Sequence, residues 1–501
     1  KSDEIVFKHT LVKDALYSSM LTDQKALLHL KIATELERLS HNRLFEVAEQ
    51  LARHYRHTNR SDKAFQYLVM AGQKSLRVYS LEAAARNFDD ALCLVEATPQ
   101  CADDAAFLSL LADMSYLHIL MFLPGQLTRL VERYWTRIDQ AGAIQPTVIV
   151  LTNYSFAAAM ICQYRSAVSA ADKALEMALL LDDARSKAYA RGAVMFTYTV
   201  TSLGSWEEIQ RHAELGALES DQTDDAYVQL WVRMNAAWSF LYRGLPDRGR
   251  TLALELQARG RMLGDPRAAS MGLLILSWLD LFDEQYEDAL VHCNECIDVA
   301  LTPLDREIGL QIKGAAEILR GNVGEGGALL RDHRQRALAN EFNFCRVGCD
   351  PPLGVAIVIE GDFAGGVRFI GAAIERNELE GCPVARDFAR VFLAELYLEF
   401  LAPKQRLPLL VVLKNLPFLV RTILTGRRKA AGLLSQARDN PSFEGATYFR
   451  ARIDADLGLL HKLAKRRPEA LSHLMQARPV AESLGATGLL SRIDAALADL
   501  T

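Results

Sequence analysis

The sequence has no excess of charge of either sign: 57 Lys and Arg stand against 62 Asp and Glu over 501 residues, a net charge of −5. That balance excludes a strongly basic nucleic-acid binder, and a hydrophobic content of 50% excludes a chain too polar to fold. Cysteine is sparse, 8 in all, which argues against a disulfide scaffold. Cys93, Cys101, Cys162, Cys293, Cys296, Cys345, Cys349 and Cys382 read instead as free thiols, most of them buried, in a reducing cytoplasm. There is no run of about 20 uncharged apolar residues, so no membrane span is expected. Lys1 to Glu4 are polar and no apolar leader follows. Alternating β-branched segments are almost lacking beyond Glu4–His9, which reads as a short strand. No Gly-x-x-x-x-Gly-Lys-Ser/Thr phosphate loop occurs.

What is present is a repeat. A small residue, a larger one four later and a small or apolar one three after that recur about every 40 residues. Ala84–Phe88–Ala91 is the clearest copy. It is followed by Ala167–Ala171–Ala174, Ile209–Ala213–Gly216, Gly249–Ala253–Leu256 and Ala289–Cys293–Cys296, then by Gly366–Ile370–Ala373, Ala430–Leu434–Ala437 and Ala470–Leu474–Ala477. Leu127–Val131–Tyr134 fits loosely, and the stretch Gly324 to Arg334 fits poorly. Positions four and seven apart share one helix face, where small residues admit a neighbouring helix closely. One helical hairpin cannot bury such a face alone, so hairpins stack into a continuous core. Gly244-Leu-Pro-Asp, Gly264-Asp-Pro, Gly321-Asn, Gly361-Asp and Leu484-Gly485 supply helix stops and starts. The expected fold is all-α: a tetratricopeptide-like solenoid of helical hairpins forming an elongated superhelix. Its concave face would be lined by the first helix of each hairpin, with Trp231, Trp238 and Trp278 as interaction candidates and Tyr154 and Tyr198 near them; core packing is the first reading of each aromatic.

The spacing breaks between Leu401 and Arg428. Leu407-Pro-Leu-Leu-Val-Val-Leu and Leu416-Pro-Phe-Leu-Val lie there with Lys404, Arg406, Lys414, Arg421, Arg427, Arg428 and Lys429, and no acid. Pro408, Pro417, Lys414 and Arg421 interrupt any spanning helix. The segment reads as an inserted helical piece packed on the array, with Lys414 and Arg421 as interaction candidates. Docking of a partner or of an anionic membrane surface are the alternatives.

Catalytic and metal signals are weak. His292-Cys293-Asn-Glu-Cys296 contains a C-x-x-C, but no second pair completes four ligands and both thiols fall on repeat positions. Cys345-x-x-x-Cys349-Asp-Pro-Pro reads as a loop, with the prolines breaking the helix after Asp350. His54 and His57, one turn apart, read as a solvated face. Gly324-Glu-Gly-Gly327 and Gly361-Asp-Phe-Ala-Gly-Gly366 follow no strand and read as turns. Asp103-Asp104, Asp182-Asp183 and Asp224-Asp225 read as helix caps. No catalytic residue, cofactor-binding residue or metal ligand is assigned.

The N-terminal run Phe7-Lys-His9-x-Leu11-Val-x-Asp14-Ala-x-Tyr17, followed by Leu28-His29 and Ile32-Ala33-x-x-Leu36-Glu37, resembles the end of a winged-helix tail. Such tails belong to AAA/STAND signalling ATPase modules, found between a class III adenylate/guanylate cyclase domain and a tetratricopeptide array in bacterial proteins. Glu46-Val-Ala48-x-x-Leu51-Ala52-x-His54-Tyr55 and Ala64-x-x-Tyr67-Leu68-x-x-Ala71-Gly72 are similar to the first hairpins after that ATPase, and Leu457 to Leu497 resembles the close of such arrays. Spacing and resemblance together give four regions: by resemblance a winged-helix remnant over 1–40, and by spacing repeats over 41–400, the apolar and basic insertion over 401–428, and closing repeats over 429–501. Since Lys1 rather than Met opens the sequence, we expect a part of a longer cytoplasmic protein. This part would be no enzyme and would bind no cofactor; ATP and Mg would belong to the parent. It would be an interaction and regulatory array whose partners are a protein or peptide, or the parent's own ATPase and cyclase domains. The alternatives are an essential structural part of the cyclase assembly, or the sensor of an ATPase-type transcriptional regulator.

Overall fold

A computed structural model describes residues 10–402, 409–445 and 447–500. The strand expected over Glu4–His9, the start of the winged-helix resemblance, and Lys404, Arg406, Leu407 and Pro408 lie outside them. Among the described residues there is no strand, and helical hairpins follow one another along the chain. It is an all-α, tetratricopeptide-like array.

Two compact units divide it, residues 1–117 and 118–501. The first holds α1 (Thr10–Ser19), α2 (Thr22–Leu39), α3 (Leu44–Tyr55), α4 (Ser61–Arg77) and α5 (Leu81–Ala97), and the division falls within α6 (Asp104–Leu120). The second continues with α7 (Pro124–Arg133) and α8 (Trp135–Gln140). Its hairpins then pair an inner with an outer helix: α9 (Gln145–Met160) with α10 (Tyr164–Leu180), α11 (Ala184–Thr201) with α12 (Trp206–Ser220), and α13 (Ala226–Arg243) with α14 (Pro246–Leu263). Next come α15 (Ala268–Phe282) with α16 (Tyr286–Val299), α17 (Pro303–Arg320) with α18 (Val323–Ala339), and α19 (Cys345–Ile359) with α20 (Phe363–Glu380). After α21 (Pro383–Leu401) come α22 (Leu409–Lys414) and α23 (Leu416–Arg438), then α24 (Tyr448–Leu463) with α25 (Arg467–Ser483), and finally α26 (Thr487–Ala498).

The turn inside each hairpin is built one way. One or two residues past the first helix the chain takes a positive φ, at Tyr79, Phe122, Cys162, Ser202, Gly244, Glu284, Gly321, Gly361 and Lys465. The next N–H reaches back five residues to a helix carbonyl, as Gln163 does to Ala158 at 2.8 Å and Gln285 to Asp280 at 2.8 Å. This bond satisfies a carbonyl that the helix end leaves open and reverses the chain for the second helix.

The repeat residues lie on the outer helices. Ala84, Phe88, Ala91, Ala167, Ala171, Ala174, Ala289, Cys293, Cys296, Ala430, Leu434, Ala437, Ala470, Leu474 and Ala477 are all buried. The copy that fitted poorly is Gly326–Leu330–His333 on α18, equally buried. Its third position is a histidine, held by Glu307 Oε2 at 2.7 Å from Nδ1. The same spacing, Leu489–Ile493–Ala496, is buried on α26, which closes the chain in an inner-helix position.

Outer helices bury one stripe, whereas α9, α11, α13 and α15 are buried on nearly every face. The reason is that the second unit winds back onto itself. Phe344 N donates to Met160 O at 2.8 Å and Tyr448 N to Gly244 O at 2.8 Å. Cys382 Sγ lies 3.3 Å from Val200 O, and Thr487 Oγ1 donates to Asp283 Oδ2 at 3.3 Å. Each contact joins the C-terminal end of an inner helix to the N-terminal end of the inner helix five hairpins later. Opposite ends of two helix dipoles therefore face each other along the seam. The open concave groove expected for an extended array is, in this unit, an interior enclosed between the turns.

Two local expectations change. Pro351 and Pro352 do not break the helix; α19 runs through them. Asp350 is buried there and paired with Arg334 and Arg376 at 2.7 and 2.6 Å. The insertion forms α22 and lengthens α23 to 23 residues, so that the repeat positions Ala430, Leu434 and Ala437 occupy its C-terminal half. Phe418 packs among Phe363 and Phe400, while Asn415 donates to Gly361 O at 3.0 Å and accepts from Phe363 N at 3.2 Å.

Candidate functional site

Where the two superhelical turns of the second unit meet, their side chains do not fill the space. A cavity of about 220 Å³ is walled by Trp278 and Phe282 of α15, Pro351 and Pro352 of α19, and Phe388 and Phe392 of α21. A second, of about 70 Å³, lies among Phe156, Phe196, Trp238, Trp278 and Phe344. Tyr242, Trp278, Val347 and Gly348 line both. The two spaces share that wall and together make an aromatic chamber of two parts.

Its polar groups are few and specific. Trp278 is 7% exposed, and its indole N–H has no hydrogen-bond partner. Prolines at 351 and 352 have no N–H to give the carbonyls of Val347 and Gly348, four residues back in α19. Gly348 leaves room that a Cβ would close, since that atom would fall 2.8 Å from the Trp278 ring and 2.0 Å from Gln311 Nε2. An unpartnered donor and two carbonyls without a helical N–H thus belong to residues that line the chamber, which suits a ligand or ordered water carrying both kinds of group.

One end is charged. Arg452 of α24 makes two parallel bonds to Glu395 of α21, at 2.7 and 2.8 Å. Arg492 of α26 approaches Glu395 and Glu284, each at 3.4 Å, and Asp456 at 3.2 Å. Burial opposes ionisation of Glu395, but the two guanidinium groups outweigh it and hold the carboxyl well below its usual range. Asp456 goes the other way: burial pushes it up to about 8, Arg492 offsetting only part of that. A fixed ion pair beside an acid that burial holds above its usual range makes this end sensitive to any charge that enters.

The sequence candidates separate. Trp238 and Trp278 line the chamber. Trp231 does not; it is buried with its Nε1 donating to Tyr189 O at 3.1 Å. Lys414 and Arg421 are exposed on α22 and α23 and take no part. Periodicity had no means of finding Glu395, Arg452, Asp456 and Arg492, although four charged residues on otherwise apolar inner-helix faces were a readable signal. Cys293 and Cys296 are buried on α16, and burial raises the Cys293 thiol to about 12 and Cys296 further, leaving both protonated. Among the described residues no group of three His, Cys, Asp or Glu side chains is placed to hold a metal ion.

In the first unit, His54 and His57 are not the simple solvated face expected. His29 of α2 lies against both, its Nδ1 2.8 Å from His54 Nδ1 and its ring centroid 4.5 Å from that of His57. Burial first, then neighbouring positive charge, lowers the pKa of His29 and His54. The acidic pairs cap helices: Asp183 accepts from Arg185 N and Ser186 N at 3.1 and 3.2 Å, and Asp225 from Val228 N at 3.1 Å.

No protein-family model matches the chain, and no curated protein matches it. Solved structures with some likeness exist. The crystal structure of Rap protein complexed with Competence and Sporulation Factor covers 74% of this chain and 99% of its own, at 10% identity and a TM-score of 0.48. That of a signal transduction ATPase with numerous domains (STAND) with a tetratricopeptide repeat sensor, from Pyrococcus horikoshii, covers 85% of this chain and 67% of its own. Its identity is 13% and its TM-score 0.39. Such values carry no argument about ligand or partner, and the fold assignment rests on the hairpins described above.

Proposed function

We propose that this chain is a non-catalytic regulatory array, in which occupation of the chamber between the superhelical turns controls an attached signalling domain. The observation that carries the reading is the buried Trp278 N–H without a partner, in an aromatic cavity bounded by two turns of one superhelix. A ligand there touches α13, α15, α19 and α21 at once, so its binding energy acts on how the turns stack. The parent we infer is a multidomain ATPase, adenylate/guanylate cyclase-like, on the resemblance of the first 72 residues. An exposed apolar face on α1 and α2, with Leu16, Leu27, Leu28 and Ile32, supports packing of a further domain on that side.

The test is to measure cyclase and ATPase turnover of the parent with and without residues 64–501. A regulatory array predicts that turnover persists with altered control; loss of all turnover favours the reading as an essential part of the catalytic assembly. Val355→Trp, which fills the larger cavity, is expected to lock the parent in one state of activity while leaving the basal helix content unchanged.

A further inference from the structure

From Pro403 to Arg438 the sequence holds eight Lys and Arg and no Asp or Glu, in a chain whose net charge is −5. The described part of this segment is α22 and α23. On α23, Thr422, Gly426, Ala430 and Leu434 face the array and are buried. A second apolar face, turned about a quarter of a turn from that stripe, stands exposed on the N-terminal half of α23. Leu416, Val420, Ile423 and Leu424 are exposed there, Leu424 at 78%, and fall within about 100° of helical arc. Leu409, Leu410 and Leu413 of the adjoining α22 are exposed too, Leu410 at 81%. Arg427 sits within that arc, with Arg421 and Arg428 on its flank and Lys414 between the helices; all four are exposed and make no ion pair among the described residues.

We propose that this face docks the chain on an anionic membrane surface, as a peripheral contact. No helix of the described chain is long and apolar enough to cross a bilayer. The exposed aliphatics are Leu, Val and Ile standing out from a helix, without the Tyr, Trp or Met that anchor protein interfaces. A nucleic acid would leave the leucines in water and would find no aromatic ring to stack on. A helix lying in the plane of the headgroups satisfies both halves: the aliphatics enter the acyl boundary while the arginines meet lipid phosphates. The packing of Phe418 and Asn415 on the array fixes the orientation, so the face is presented outward rather than folded away.

The test uses the full chain in sedimentation with vesicles. Wild type is expected to bind vesicles of mixed phosphatidylcholine and phosphatidylglycerol, to release them at high salt and to ignore pure phosphatidylcholine. Replacing Arg421, Arg427 and Arg428 by Gln is expected to weaken binding on the order of 100-fold, because each basic residue near an anionic surface contributes about fivefold. Ile423→Ser with Leu424→Ser is expected to weaken it at unchanged charge. All five positions are exposed, and unchanged circular dichroism checks the fold. Wild type that fails to bind the anionic vesicles overturns the proposal, as does binding indifferent to both sets of changes. Self-association of wild type that the serine pair disperses also overturns it, by assigning the face to a second copy.

Discussion

Asp456 lies on α24 with Arg492 Nη2 at 3.2 Å, yet burial and the nearby Glu395 and Glu284 push its carboxyl up to about 8. The folded chain then keeps a proton that the unfolded chain releases near the ordinary value of 3.8. Stability from this proton is complete below that ordinary value and is lost as pH rises through about 8. Glu395 has the opposite sign: its contribution is present above the usual carboxylate range and is lost only in acid, so it leaves the neutral range undisturbed. Asp456→Asn, which cannot ionise, removes the slope. Melting temperatures between about pH 5 and about pH 9 should fall for wild type relative to the variant. Parallel curves would mean that Asp456 is ionised and simply paired with Arg492.

At the scale of the element, four hairpins close on a glycine facing a large residue. Gly72 meets Phe88, Gly314 meets Leu330, Gly354 meets Ile370 and Gly458 meets Leu474. In every pair the glycine of the first helix precedes the central repeat residue of the second by sixteen positions. A Cβ at Gly354 would fall 2.3 Å from Ile370 Cγ1, and one at Gly458 2.7 Å from Leu474 Cγ. Gly354→Ala and Gly458→Ala should therefore each destabilise by about 1–3 kcal/mol through overpacking. Gly371 and Gly432 are also helical, but nothing lies within 4 Å of their would-be Cβ atoms. Alanine there should stabilise by about 0.5–1 kcal/mol, the ordinary preference of a helix interior. Thermal melts of the four variants decide between the two signs; if all four shift alike, the close approach is not what these glycines serve.

The same frame shows what the sequence made legible. The outer-helix stripe was readable because it repeats small and apolar residues on one face. The sixteen-residue partner was equally present but is Ser155, Thr197, Ala237 or Ser277 in other hairpins, so no single residue type marks it. Turns at Gly244, Gly321 and Gly361 announce themselves. Those at Cys162, Ser202, Glu284 and Lys465 adopt the same positive φ without a glycine to signal it. The prolines at 351 and 352 misled because helix-breaking is a local rule, whereas α19 is held from outside by packing and by the two arginines on Asp350.

For the whole second unit, the decisive contacts join residues far apart in sequence, 182 for Cys382 and Val200 and 204 for Thr487 and Asp283, and no local pattern encodes them. An open solenoid interacts only between neighbouring hairpins and unravels piecemeal. Stacked turns add a second direction of coupling. Phe388 of α21 concentrates it: its ring lies 5.8 Å from Tyr242 of α13 and 5.4 Å from Phe282 of α15, in the first turn. In the second turn it lies 4.6 Å from Phe449 of α24. Phe388→Ala removes a buried ring worth about 3–5 kcal/mol where both turns depend on it. Amide exchange should then accelerate in α13 and α15 as well as in α21 and α24, although the two pairs are far apart in sequence. Leu474→Ala provides the contrast, because Leu474 packs inside one hairpin, against Gly458; its effect should remain within α24, α25 and α26. If Phe388→Ala loosens only its own neighbours in sequence, the turns are stacked without being coupled. A ligand in the chamber between them would then have no mechanical route to an attached domain.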